Sequence, residues 1–180
     1  MASLAGGRHP GHGTGNRIVP LGPDYLELMA VVDPAEAATS PLGRWAQARA
    51  HQDAVPTALC LRTDEIGRVG SLLGEQPLAM SRRTPTGAEL SWHLAGLEGM
   101  LARGDPFFIE WHCAAEDHPG TMDAPHLVEP TGVGQVTAGV SSGLADLAAT
   151  VPGLVATDRP GVQTMSITTL SGSIELGPMG

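Results

Sequence analysis

Three short apolar stretches, YLEL at 25–28, FIEW at 108–111 and SIEL at 173–176, each set one glutamate among large hydrophobic neighbours. An ionised carboxylate in apolar surroundings is costly unless it is paired or turned toward a polar face. Successive side chains of a strand point to opposite faces. Each stretch therefore reads as a strand whose glutamate faces away from its neighbours. Glu27, Glu110 and Glu175 stand 83 and 65 residues apart, so a strand ending of one kind recurs along the chain. Such self-similarity is the mark of an architecture built from repeated units. With 24 Gly and 15 Pro in 180 residues, the units consist of many short elements rather than long helices.

Turn and cap signals divide the chain further. NRIVPL (16–21) and YLELMAVV (25–32) read as a hairpin around GPD. Ser40-Pro41 opens a helix over LGRWAQARA, with Ser40 as N-cap and Pro41 at its first position. VPTALCLRT (55–63) reads as a strand, followed by a helix capped by Thr63 or Asp64 and closed by Gly74. AELSWHLAGL (88–97) and PFFIEWH (106–112) are strands around a linker with room for a helical turn. Residues 113–132 are a long polar connection. VGQVTAGV is a strand and LADLAATV a short helix. VQTMSITTL with SGSIEL closes the chain as a hairpin around Ser171-Gly172. The organisation expected is one domain, 1–180, with a partial first unit (6–33), a second unit (55–113) and a third (133–176).

The net charge is −9, and all ten basic residues are arginine, with only Arg82-Arg83 adjacent. No basic patch could track phosphates, so nucleic acid and anionic membranes are not expected partners. GHGTG lacks the preceding strand, the following helix and the lysine of a phosphate loop. No GxSxG elbow supports a serine hydrolase. Cys60 and Cys113 form no CxxC, and Cys60 lies in an apolar run as a small hydrophobe. The start, MASLAGGRHPGHG, has no basic leader and no apolar stretch of signal-peptide length, and no run spans a membrane, so a cytoplasmic location is expected.

GGRHPGHGTGNRIVPLG…DYLELMAVVDP, LRTDEI with its helix, and PFFIEWH…HPG together resemble the vicinal oxygen chelate superfamily, in particular its glyoxalase-like domain. The resemblance implies an α+β fold of the glyoxalase and bleomycin-resistance type. In it, repeated βαβββ units with curved mixed or antiparallel sheets enclose a cleft. It also implies a divalent metal in that cleft, held by a His on the first strand and a Glu on the last strand of each unit. Here the pattern departs. The first strand of the first unit, with its His, has no counterpart before GGRHPGHG, where about 25 more residues would be needed. In the second unit the His position falls near Thr57, a poor ligand. Only Glu27 and Glu110 match. Any divalent metal is expected to be weakly held.

The leading expectation is that Glu27 and Glu110 project from opposite halves of one cleft, as metal ligands or as acid–base groups. His93, in phase with Ser91 and Ala95, joins them as a candidate metal ligand, and His112, two residues after Glu110, as a ligand-binding or rim residue. His12 and Asn16 are placed to hydrogen-bond a ligand from a loop over the cleft mouth, and Trp92 to touch it from the other face of its strand. His9 shares that solvent-exposed loop. His51, His118 and His126 sit in loops without a role. Glu175 lies on a terminal edge strand. The function expected is binding of a small carbonyl or phenolic ligand, with metal-assisted isomerase, lyase or dioxygenase chemistry if the protein is an enzyme. The alternative is a non-catalytic binding or sequestering protein, or a truncated inactive member. Without a covering strand and helix, the first hairpin is expected to be covered either by a second copy, as a homodimer, or by residues 133–176.

Overall fold

The computed structural model describes residues 1–50, 55–83 and 89–177. Strands β1 (Leu4–His9), β2 (Thr14–Pro20) and β3 (Tyr25–Val31) form an antiparallel three-stranded sheet in the order β1-β2-β3. The stretch expected to be a loop over the cleft is thus largely a strand. Its sequence, LAGGRH, lacks the alternation that marks strands. Its glycines serve close packing instead: a Cβ on Gly6 would overlap Asn16 Oδ1.

Two short helices follow, α1 (Pro34–Ala37) and α2 (Pro41–Gln47). Asp33 Oδ1 accepts from Ala35 N and Glu36 N at 3.1 and 3.0 Å, and Ser40 Oγ accepts from Gly43 N at 2.9 Å. Both starts combine a capping side chain with a proline whose missing N–H is needed by neither helix.

The second unit runs β4 (Cys60–Arg62), α3 (Ile66–Leu73), β5 (Leu78–Arg83), β6 (Glu89–Ala95), α4 (Leu97–Arg103) and β7 (Phe107–Trp111). Its sheet has the order β4-β7-β6-β5, with β4 parallel to β7 and the other pairs antiparallel. This is a complete βαβββ unit, with α4 added. Gly74 ends α3 in the left-handed conformation at φ 71°. Strand β5, LAMSRR, has no clean alternation and was not expected. The expected strand at 55–63 is ordered as β only over three residues. Ala88, read as the start of β6, and His51 lie outside the described residues.

The last unit comprises β8 (Pro130–Gly139), α5 (Ala145–Ala148), β9 (Leu154–Thr157), β10 (Val162–Thr169) and β11 (Gly172–Leu176). It again runs βαβββ along the chain, but its sheet order is β11-β10-β8-β9, so β8 pairs β9 rather than the last strand. The closing hairpin forms as read, in register Thr169↔Gly172 through Met165↔Leu176.

Alternation decides which face each sheet presents. Val19, Leu21 and Leu26 pack on Val136, Met165 and Ile167, so the C-terminal sheet covers one face of the first sheet. The face without a helix of its own is therefore covered within the chain. In the second sheet, Ala95 and Phe108 meet Ile66 and Val69 of α3, with Leu144 beside them. Leu90, Trp92 and Ile109 gather on the opposite face with Cys60, Met80 and Trp111. No helix among the described residues is long and apolar enough to cross a membrane.

Candidate functional site

The uncovered faces of the first two sheets meet where β1 and β5 run side by side. Arg82 Nη1 donates to Gly6 O at 2.9 Å across that seam. From the first sheet come Asn16, Tyr25 and Glu27. Ile18 pairs directly with Glu27 in the β2–β3 register, and Pro20 with Tyr25, so these side chains share a face. From the second sheet come Met80, Arg82, Trp92 and Trp111, where Trp92 lies directly opposite Trp111.

Three of the chain's six Phe, Trp and Tyr residues gather here. Tyr25 meets Trp111 edge-on with ring centroids 6.4 Å apart, and Trp111 tilts against Trp92 at 5.1 Å. His118 closes the group from the long connection, 5.6 Å from Tyr25 and 5.7 Å from Trp111, and is itself buried. Its Nδ1 accepts from Gly120 N at 3.1 Å.

The polar end is built around Glu27. Asn16 Nδ2 donates to Glu27 Oε1 at 2.8 Å, while Asn16 Oδ1 accepts from Gly7 N at 2.8 Å. Asn16 therefore works as a clamp, held by the backbone and holding the carboxylate. His9 lies beside it, with Nε2 3.6 Å from Glu27 Oε1 and Nδ1 2.9 Å from the hydroxyl of the fully buried Thr14. Burial lowers the His9 pKa; Glu27 opposes that shift, and His12 and Arg82 add to it. His9 is neutral at neutral pH beside a carboxylate that remains about one-third exposed, at 34%. Burial pushes the Tyr25 phenol well above its usual range, with Cys60 and Glu27 adding to the shift, so it stays a protonated donor. Burial and then Glu27 push the Cys60 thiol up as well, which leaves no thiolate nucleophile there.

Glu110 is not part of this site. Its neighbours Ile109 and Trp111 face the aromatic group, so Glu110 faces α3, where Oε2 accepts from Ile66 N at 3.0 Å. It caps a helix whose own N-cap residue, Glu65, makes no capping side-chain bond, and neither Thr63 nor Asp64 takes that place. The expected convergence of Glu27 and Glu110 across one cleft fails for this reason. His93 pairs directly with Glu110 in the β6–β7 register, so it and His112 also lie on the helix side. Glu110→Ala is expected to lower stability by about 0.5–2 kcal/mol, the range for a lost helix cap, with the surroundings of Glu27 unchanged. A urea midpoint equal to that of the parent chain would contradict the capping role.

His12 lies next to His9, its N donating to His9 O at 3.1 Å, and its Nδ1 is buried without a hydrogen-bond partner among the described residues, as is Trp111 Nε1. His9 and His118 were missed because neither sits in a periodic stretch. The one local signal was GG beside Arg8-His9, glycines that admit close packing. His126 is structural: Nε2 meets Pro20 O at 2.9 Å and Nδ1 accepts from Ala2 N at 3.1 Å. Two cavities, of about 210 and 250 Å³, lie elsewhere, around Glu75–Arg103–Asp105 and around Trp45–Arg49.

The metal implied by the superfamily does not fit this cleft. His9 and Glu27 stand 3.6 Å apart there, and Thr14 already engages one His9 nitrogen. No group of three or more His, Cys, Asp or Glu among those residues is arranged around a common point.

Acid should weaken the fold through His9 and His118. Burial lowers both pKa values, and Arg62 lowers that of His118 further. The unfolded chain then takes up protons first, near pH 6.5. Their stabilising contribution is complete above that value and declines as pH falls below it. Thermal unfolding from pH 8 to 5 should show the decline, and His118→Asn, which keeps an acceptor for Gly120 N, should flatten it. An unchanged slope in that variant would refute the assignment.

Residues 1–152 match the family described as Glyoxalase-like domain. No curated protein matches the chain. A crystal structure of a hypothetical protein from Staphylococcus aureus is similar in fold. It has a TM-score of 0.56 and 18% identity, over 96% of this chain and 75% of that one.

Proposed function

Starting from a chain that belongs to the glyoxalase-like domain family, we propose that it binds a small planar phenolic or carbonyl compound in the cleft between its first two sheets. The observation that carries the reading is the aromatic wall of Tyr25, Trp92 and Trp111 facing the clamped carboxylate of Glu27. A ring stacks on the wall. A phenolic O–H donates to Glu27, and the unpaired Trp111 Nε1–H supplies a donor for a ligand oxygen. A buried donor without a partner costs about 1–3 kcal/mol, so an acceptor placed there gains affinity. The aromatic wall favours phenols over aliphatic carbonyls. Glu27 can also take a proton from the ligand, with Asn16 and neutral His9 fixing its orientation, so an acid–base enzyme and a sequestering protein share the same site.

The test is a titration of the full chain with a panel of phenols, naphthols and aliphatic carbonyl compounds, read by tryptophan emission. A saturable change with phenols is expected, weakened about 10–100-fold by Glu27→Gln, the loss of one hydrogen bond to a charged group, and abolished by Trp111→Leu. Chromatography of the ligand after incubation separates conversion from sequestration. Emission unmoved by every compound, or binding untouched in both variants, would sink the reading.

A further inference from the structure

On the helix side of the second sheet, His93 and His112 form a pair that the cleft does not use. Nδ1 of His93 and Nε2 of His112 approach to 2.5 Å, and their rings meet edge-on with centroids 4.7 Å apart. Strand pairing imposes this. His93 is registered opposite Glu110, and His112 N donates to Ser91 O at 2.9 Å, which brings the two imidazoles together diagonally across β6 and β7. Glu110 Oε1 lies 3.6 Å from His112 Nε2, while its other oxygen holds Ile66 N. The His112 side chain is 40% exposed, so the pair opens to solvent.

We infer that His93 and His112 form a two-imidazole site for a late first-row divalent cation, with Glu110 as the adjacent counter-charge and water completing the coordination. The two ring nitrogens share one hydrogen bond, and a cation would take the place of its proton while the strands hold both rings nearby. A cation about 2.0–2.1 Å from each nitrogen needs the rings to spread only modestly, by side-chain rotation. Imidazole donors select Cu²⁺, Ni²⁺ and Zn²⁺ over Ca²⁺ and Mg²⁺, which take oxygen ligands. The order expected for one site is Cu²⁺ tighter than Ni²⁺ and Zn²⁺. Protons compete with the cation for the same nitrogens, so binding weakens in acid. The site lies on the opposite face of the sheet from Glu27, and its occupancy is independent of the cleft ligand.

Calorimetric titration of the untagged full chain with Cu²⁺, Ni²⁺, Zn²⁺, Ca²⁺ and Mg²⁺ at pH 7.5 tests the site. One equivalent of Cu²⁺ is expected, bound more tightly than Ni²⁺ or Zn²⁺, with no heat from Ca²⁺ or Mg²⁺. His93→Ala and His112→Ala should each weaken binding at least about tenfold, the smallest loss typical even of outer-shell partners. The double variant should be no worse than the weaker single, because a chelate fails when either arm is lost. Imidazole resonances of the parent protein on Zn²⁺ addition give a readout that no substitution can confound; those of His93 and His112 should move together. Tight binding that persists in a folded double variant, absence of saturable binding to the parent chain, or movement confined to other histidines would each overturn the inference.

Discussion

Ile167→Ala is expected to remove about 2–5 kcal/mol of stability, the range for truncating a large aliphatic side chain in a packed core. Ile167 has no exposed surface and stands at the centre of the contact between the last sheet and the first. In β10 it is registered against Val133 on one side and Ile174 on the other. Across the interface it belongs to the cluster of Val19 and Leu21, and β2, which carries Val19, also carries Asn16, the clamp on Glu27. A cavity there loosens the cover that the last sheet gives this face of β2 and β3. Leu170, 78% exposed in the adjoining turn, supplies the control, and Leu170→Ala should shift the midpoint little. Denaturant unfolding followed by circular dichroism measures both. A loss below about 1 kcal/mol for Ile167→Ala would mean that the last sheet is not the cover of the first. Strands β9 to β11 lie beyond the stretch that matches the family, yet β10 completes this core.

Gly13→Ala should be nearly as damaging for a different reason. Gly13 has φ 62°, in the left-handed region, and a Cβ there would overlap Ala37 N and Asp33 O. Both neighbours are backbone and cannot rotate away. Gly13 O also accepts from Val32 N and Asp33 N at 2.9 and 3.0 Å, tying the β1–β2 turn to the end of β3. Overpacking of this kind costs about 1–3 kcal/mol and occasionally more, to which the left-handed conformation adds about 1 kcal/mol for a non-glycine residue. The turn sets the register His9↔Thr14, so the variant should also shift His9 away from Thr14 and Glu27. Weaker binding of the cleft ligand together with a lower melting temperature is the expected signature. Gly11, at φ 80°, has open space where a methyl group would stand, with nothing within 4 Å. It carries conformational strain alone, so Gly11→Ala should cost less. Equal costs for the two would leave the overlap at Gly13 without effect.

Much of the fold was legible because its signals are local. Ser40-Pro41 starts α2, Gly74 stops α3, and Ser171-Gly172 turns β10 into β11. Strands that alternate, such as TGNRIVP and YLELMAV, could be read. LAGGRH, LAMSRR and LVAT could not, because their partners rather than their own patterns make them strands. The candidate site was only half legible. YLEL placed Glu27 opposite Leu26 and Leu28 correctly, and FIEW placed Glu110 opposite Ile109 and Trp111 equally correctly. The error lay in assuming that equivalent letters meant equivalent faces.

By itself, then, the sequence determined the content of the units, the caps and turns that bound them, and the relative facing of side chains along each strand, all of which follow from neighbours a few residues apart. Only the tertiary structure decided which face each sheet turns to the cleft, because a period of two is unchanged when the strand is turned over. It was the packing of α3 on Phe108 that turned Glu110 outward and left Trp92 and Trp111 to face Tyr25. His9, His118 and the pairing of β8 with β9 were settled in the same way, by contacts between residues distant in the chain, whose order no local pattern encodes.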